Sequence, residues 1–454
     1  MAAKKNNKAR QANRYMHSGK LKLARRAMTW WLVVTPAYLY AQSQPPQLSL
    51  ADARAMAVKN HPRVLASQAT VQRAGQMVVE AKSAYYPTLN GDITGAGSVL
   101  NARIGAGLIN DPRLFNHFGA GVTLSQLITD SGRTPNLVAT SRLQGQAAEQ
   151  DARATNYDII FGVDQAYYET LRSQQLVLVA QQAVKTRQTL VEQISELYKN
   201  KLRSEVDLSF AQVNLADAQL MLIRAQDQLN TAYARLGRAL GTNEAIHYRL
   251  AEQPMPPPPP TDEQRLIAQA YQNRPELASM RLQSEADQHF VRAEADLKLP
   301  TVSFIGVAGA LPWIEPGNAN ADIPEGYGAA AINVTIPIFN GHLFTARRRA
   351  AEYQLQAANQ QVRDWENRIA QDVRASVENA RSAYQAIATS EQLVKQANLA
   401  LDLAQQRYNL GLASIVELSQ AQLGQTQAQV ENVNAKYGYQ EAYAALQYAL
   451  GLLH

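Results

Sequence analysis

The sequence predicts a mainly α protein with a small β part, built from long helical hairpins in two copies of one plan. Three observations carry that prediction. Residues 197–212 (LYKNKLRSEVDLSFAQ) and 407–422 (RYNLGLASIVELSQAQ) are related by an offset of 210 and are identical at eight of sixteen positions. Each copy joins a helical pattern of 66 residues to one of 37. Two short alternating runs per half precede these helices, four in all.

The start of the chain stands apart. The protein has 454 residues with 44 basic and 38 acidic side chains, a formal +6. Residues 1–41 hold nine of the bases and no acid, so the remainder is −3. That balance gives no argument for nucleic acid. The basic run precedes an apolar stretch over 27–40 that falls short of the ~20 residues needed to span a bilayer. With Ala41 behind it, the pattern predicts a secretory signal over 1–41. Met16 offers an alternative start, and an uncleaved anchor is the alternative reading. The absence of cysteine excludes disulfides, thiol catalysis, cysteine-ligated metals and a lipid on cysteine.

The mature chain divides into a first repeat (42–253), a proline-rich linker (254–261) and a second repeat (262–454). Residues 57–64 (AVKNHPRV) match 270–277 (AYQNRPEL), and Leu240-Gly241 matches Leu450-Gly451. The linker, with Pro254 and five prolines over 256–260, predicts a stiff extended segment.

Each repeat opens with a helix. Ser49 followed by Asp52, and Thr261 followed by Gln264, resemble capping boxes. Pro62 and Pro275 end these helices and open the next ones. The second helices are predicted to reach Ala84 and Leu297, where Tyr86-Pro87 and Leu299-Pro300 stop them.

Strand patterns follow over 89–94, 118–125, 302–310 and 332–338, with loops at 100–116 and 311–326. Strands of about ten residues, apolar on one face and small or polar on the other, fit a transmembrane barrel. A soluble hairpin with one buried face fits equally well. Tyr85, Tyr86, Trp313 and Tyr327 flank the strands as an aromatic belt would.

Turn residues at Asp130-Ser131-Gly132 and Asn340-Gly341 lead into the long helices, 134–199 and 343–408. At 1.5 Å per residue each spans about 100 Å. The return helices, 204–240 and 414–450, are shorter. A 23-residue second helix laid end to end with a 37-residue return helix nearly covers one long helix. This predicts a helical cylinder with strands at one end and tips at the other. The helices are rich in alanine and glutamine, which suits a wall wet on one side better than a solid core.

Four strands cannot close a barrel, and lipid does not tolerate open strand edges. Single-chain bacterial barrels start at about eight strands. Membrane insertion therefore requires more than one copy, two or three.

With the duplication, the Asn-x-Pro segments at 60–62 and 273–275, the turn-then-helix junctions and the tip at 408–417, nearly all of the mature chain resembles the TolC-type outer membrane efflux protein family. The resemblance implies a homotrimer with a 12-stranded barrel in outer membrane lipid and a long periplasmic tunnel. It also implies docking onto a periplasmic adaptor (membrane fusion) protein and an inner-membrane transporter. The implied activity is passive efflux of small molecules, drugs or metals, with no catalysis. A type I protein-secretion outlet is the alternative on the same fold; a periplasmic adaptor or coiled-coil scaffold is the alternative from another class.

The resemblance places Tyr408 at a latch tyrosine, Asp207 at its acidic partner and Glu417 at a pore-lining acid. A second pore acid is Gln420 here, and a latch arginine is Ala413, so the implied closed-state network is thinner. Leu410, Gly411 and Leu412 match an adaptor-contact segment, of which the first half keeps Leu202.

Simpler roles are open for each. Asp207 and Glu417 lie three residues after Ser204 and Ser414, as helix caps do. Gly411 ends a long helix as a left-handed residue does. Lys201 stands at the matching place without that freedom, which predicts tips of different shape. Enzyme readings find no support. The seven histidines are scattered without metal-ligand spacing, no Gly-Ala-Gly completes a dinucleotide fingerprint, and no phosphate loop is present. No metal site or cofactor is expected.

Overall fold

The structure, a computed structural model, describes residues 47–97, 117–243, 248–314 and 326–453. Residues 1–41, where the sequence pattern predicts a secretory signal, and the bulk of both interstrand loops lie outside the described residues. One order of elements occurs twice. The first half runs β1 (Gln47–Leu48), α1 (Leu50–Asn60), α2 (Pro62–Ser83), β2 (Thr88–Ala96), β3 (His117–Thr129), α3 (Arg133–Lys199) and α4 (Glu205–Ala239). The second runs β4 (Arg249–Leu250), α5 (Glu263–Asn273), α6 (Pro275–Asp296), β5 (Thr301–Ile314), β6 (Gly326–Thr335), α7 (Leu343–Asn409) and α8 (Ile415–Ala449).

Local chemistry sets the boundaries. The Ser49 hydroxyl accepts the Asp52 N–H at 3.1 Å and caps α1. In the second half the cap is Asp262 rather than Thr261, its carboxylate accepting the Arg265 N–H at 3.1 Å. Aspartate outranks threonine at this position and also answers the positive helix end. Pro62 and Pro275 each open a helix of 22 residues. The long helices have 67 residues each and the return helices 35 each.

Four strands form one antiparallel sheet in the order β2-β3-β5-β6, and the two-residue β1 and β4 pair in parallel apart from it. Several strand ends differ from the sequence pattern: β3 runs on to Thr129 and β6 already begins at Gly326. β6 stops at Thr335, before Ile336 and Ile338, because Pro337 has no N–H for a ladder and restricts its neighbour. β5 continues to Ile314, through residues the pattern gives to a loop. Its register with β3 steps from Ala120↔Ala310 to Phe118↔Trp313, leaving Leu311 and Pro312 in a bulge that tolerates proline.

The register sorts the sheet into two faces. One carries Leu89, Ile93, Val122, Leu124, Phe304, Ile332 and Val334; the other carries Asn90, Asp92, Thr123, Ser125, Ser303 and Asn333. On the polar face the Thr123 hydroxyl donates to Asp92 Oδ2 at 3.2 Å. The apolar face has no cover: Leu89, Ile93, Val122, Ile332 and Val334 are all exposed. Within one chain it is therefore not a buried face. Tyr327 belongs to the polar face, where its ring crosses Gly309 and Gly121, opposite the face that carries Leu89, Val122 and Ile332.

Below the sheet, α3 packs on α2 and α4 on one side and on α6 and α8 on the other; α7 packs on α6 and α8. The ends of α4 and α8 abut the α1–α2 and α5–α6 junctions. The short helices thus stack end to end along the long ones, as their lengths predict. Halfway along, the chain beyond β4 crosses the helices as an extended strap. Tyr167 Oη lies 2.9 and 2.7 Å from the carbonyl oxygens of Leu48 and Ala251. Gln440 donates to the Gln253 carbonyl at 3.1 Å, and Tyr439 donates to that of Pro257. The linker is pinned in place, not merely stiff. Beside it the core gathers Tyr167, Leu171, Leu236 and Leu240 around α1. Among the described residues no helix is long and apolar enough to cross a membrane.

Candidate functional site: the hairpin tips

Both tips end in the same turn. Lys201 and Gly411 occupy the left-handed region with φ of 55° and 74°. The Leu202 N–H bonds the Leu197 carbonyl and the Lys201 N–H that of Tyr198, each at 2.8 Å; Leu412 to Arg407 and Gly411 to Tyr408 repeat this at 2.8 and 3.0 Å. These are paired Schellman motifs. The expectation of different shapes is overturned, because two hydrogen bonds hold Lys201 where a β-carbon is disfavoured. Lys201→Gly is expected to stabilise the protein by about 0.5–1 kcal/mol. A raised denaturant midpoint of the helical circular-dichroism signal would show it.

The turns bring four helices into one tip core. Leu190 and Ile194 of α3, Ala211 of α4, Ala404 and Tyr408 of α7, and Ile415 and Leu418 of α8 form a buried cluster. Polar links cross it. Arg187 Nη1 donates to the Asn214 carbonyl at 2.9 Å, and Asn214 Nδ2 donates to Ser419 Oγ at 2.8 Å. Burial pushes the Arg187 guanidinium down from its usual value.

Tyr408 lies inside this core. The Arg203 guanidinium sits 4.4 Å above its ring centre, with Nη2 3.4 Å from the Tyr408 carbonyl oxygen. This cation–π contact spans the two hairpins. Among the described residues the Tyr408 hydroxyl is buried without a hydrogen-bond partner. Burial pushes its phenol up, Arg203 draws it back down, and nearby Asp207 adds to the rise. Asp207 makes no hydrogen bond to Tyr408. Its Oδ2 accepts from Ser204 N at 3.2 Å and from Ser204 Oγ at 2.9 Å, while Ser204 Oγ accepts the Asp207 N–H at 3.2 Å, a complete capping box.

The second tip differs in its acid. Ser414 caps α8 by accepting the Glu417 N–H at 3.3 Å, but the Glu417 carboxylate turns to Arg407 Nε at 3.1 Å. Glu417, Gln420 and Arg407 line an open groove of about 1250 Å³ between α7 and α8, over a floor of Ala397, Ala400 and Gly424. Glu417 and Gln420 thus share one open surface, while Tyr408 lies in the packed core. At the outermost points Leu202, Leu410 and Leu412 are 69, 74 and 68 % exposed.

Arg203, Arg187 and Asn214 are the tip residues that sequence reasoning missed. Arg203 stands directly before the Ser204 cap, but nothing in its own repeat indicates the tyrosine it covers, 205 positions away. Among the described residues no cluster of histidine, aspartate or glutamate could hold a metal ion.

The family model described as outer membrane efflux protein matches residues 54–242 and 266–452. The outer membrane protein TolC of Vibrio cholerae is 25% identical over 412 residues, covering 89% of this chain and 91% of that one. The outer membrane efflux protein BepC of Brucella suis is 23% identical over 405 residues, covering 89% and 85%. Among solved structures, the outer membrane protein VceC of Vibrio cholerae aligns with a TM-score of 0.76 at 20% identity, covering 88% of this chain and 96% of that chain. The outer membrane channel CmeC of Campylobacter jejuni aligns with a TM-score of 0.75 at 17% identity, covering 88% and 85%. The duplicated helical hairpins, the bare four-stranded sheet and the matched span agree, and the chain belongs to the outer membrane efflux protein family.

Proposed function

We propose that the protein is the passive exit duct of a tripartite efflux system, working as a homotrimer whose twelve strands close a barrel in the outer membrane. One observation carries this reading. A four-stranded sheet with an exposed apolar face and two open edges needs lipid on the face and further strands on the edges. The 67-residue helices then reach about 100 Å from the sheet, the right scale for a path through the periplasm. Energy comes from an inner-membrane transporter, engaged together with a periplasmic adaptor at the tips.

In this reading Glu417 and Gln420 line the aperture. Their open groove supports it, and Glu417 supplies a charge that a threefold arrangement repeats. Tyr408, with Asp207 nearby, belongs to the packing that keeps the tip closed. Exposed Leu202, Leu410 and Leu412, with Gly411 allowing the turn, offer the adaptor an apolar contact.

Glu417→Ala is expected to lower the cation preference of single channels in planar bilayers, because it removes one negative charge per copy. Unchanged conductance and ion preference would remove Glu417 from the aperture. Native mass spectrometry of detergent-extracted protein tests the assembly, with a trimer of mature chains as the expected species and a soluble monomer as the contrary one.

A further inference from the structure

Far from the tips, the helical wall next to the sheet encloses a cavity of about 540 Å³, within the range of small-molecule sites. Met77 of α2, Leu137 of α3 and Phe290 of α6 line its apolar part; Glu80 of α2, Asp287 of α6 and Gln354 of α7 line its polar part. Met77 and Phe290 hold equivalent places in the two repeats, so the duplication sets two large apolar side chains on either side of α3. The four contributing helices pack in the row α2-α3-α6-α7. A cavity that all four reach lies on the concave side of that row.

The charge in this cavity has one sign. Glu80 and Asp287 bring carboxylates, and among the described residues no lysine, arginine or histidine lines it. Asp287 Oδ1 accepts from Gln354 Nε2 at 2.7 Å, and among the described residues Oδ2 takes no hydrogen bond. Burial pushes the Asp287 carboxyl up, and Gln354 draws it back only in part. The carboxylate is thus partly stripped of water with no cation beside it. The hydroxyls of Thr134 and Thr140, also in the lining, are committed to Asp130 Oδ2 and to the Asn136 carbonyl at 2.6 and 2.9 Å.

These features select a ligand class. An anion would meet only repulsion. A metal ion would lack ligands, since among the described residues no group of three histidines, aspartates or glutamates gathers anywhere. An apolar body with a positive charge meets both halves of the lining: carboxylates for the charge, and Met77, Leu137 and Phe290 for the body. An aromatic ring in the lining adds its own attraction for a cation. We propose that this cavity binds amphipathic organic cations. On the concave side of the wall it borders the lumen of the duct proposed above, and there it gives cargo of this class a resting place. That role rests on the duct reading; the binding itself does not.

Equilibrium dialysis of the full-length protein in nonionic detergent tests this, with tetraphenylphosphonium as the probe. Saturable binding is expected, about tenfold or more tighter than that of triphenylphosphine oxide, which lacks the charge, or of tetramethylammonium, which lacks the apolar body. Asp287→Asn keeps an acceptor for Gln354, and Glu80→Gln keeps the side-chain length. Each should weaken binding about threefold, and the two together about tenfold, at unchanged helical circular dichroism. Phe290→Leu, apolar but not aromatic, should weaken it about threefold. No saturable binding, or binding unmoved by the double variant, would overturn the site. Equal affinity for the phosphonium and the phosphine oxide would overturn the cation class. Planar bilayers separate the site from the duct. Channels without saturable binding would overturn the site and leave the duct standing. Binding by a protein that forms no channels would overturn the resting place together with the duct reading, and leave the site.

Discussion

Arg54→Ala is expected to destabilise the protein by about 3–5 kcal/mol, the cost of leaving a buried charge without its partner. Arg54 of α1 reaches Asp164 of α3 through Nε and Nη2 at 2.7 and 2.6 Å, one to each carboxylate oxygen. Asp164 is fully buried. Burial pushes its carboxyl up, and the guanidinium pulls against that rise. Without Arg54 the rise is larger. A raised native pKa means the folded state binds a proton that the unfolded state releases. Stability then falls as pH rises through the window between the unfolded and the folded value. The deficit of Arg54→Ala should therefore shrink in acid and be greatest at neutral pH. Arg54→Met/Asp164→Leu should recover most of the loss, since an apolar pair of similar volume has no charge to desolvate. Urea titrations of the helical signal at fixed protein concentration, at neutral and acid pH, would check this. A neutral-pH loss below about 1 kcal/mol, the range of surface pairs, would mean that Asp164 is not held as a buried ion.

That pair also marks where the sequence stops being legible. Features written in neighbouring residues could be read: the Asn-x-Pro helix junctions, the serine caps, the lengths of the long helices, the turns before them. Errors of one to three residues arose where two local signals competed. Asp262 displaced Thr261 as a cap, and Pro337 cut β6 short. Lys201 was misread for another reason. Its own propensity opposes the left-handed turn, but a six-residue hydrogen-bonded motif decides the conformation. Contacts between distant residues left no local trace. Arg54 and Asp164 are 110 positions apart, and Arg203 and Tyr408 are 205 apart. The strap shows the same limit: its prolines announce an extended chain, but Tyr167, Tyr439 and Gln440, which hold it, look like ordinary members of an Ala/Gln-rich helix.

Gly241→Ala and Gly451→Ala are each expected to cost about 2–4 kcal/mol, combining the left-handed penalty with that of overpacking. Both glycines have positive φ, 76° and 68°. A β-carbon on Gly241 would lie 2.7 Å from His61 Cα, and one on Gly451 would lie 2.9 Å from the Asn273 carbonyl carbon. Those neighbours are backbone at the Asn-x-Pro junctions and cannot swing aside as a flexible side chain would. Gly411 is the internal control. Its φ is also positive, at 74°, yet a β-carbon there meets nothing within 4 Å. Gly411→Ala should therefore cost only the conformational part, about 1 kcal/mol. The ordering can be read from denaturant midpoints of the three variants at one protein concentration. Equal losses at all three positions would mean that the return helices do not press on the junctions. A larger loss at 241 and 451 would explain why Leu-Gly and Asn-x-Pro both recur in the two halves: each repeat locks its short helices end to end by setting a residue without a side chain against the turn that proline enforces.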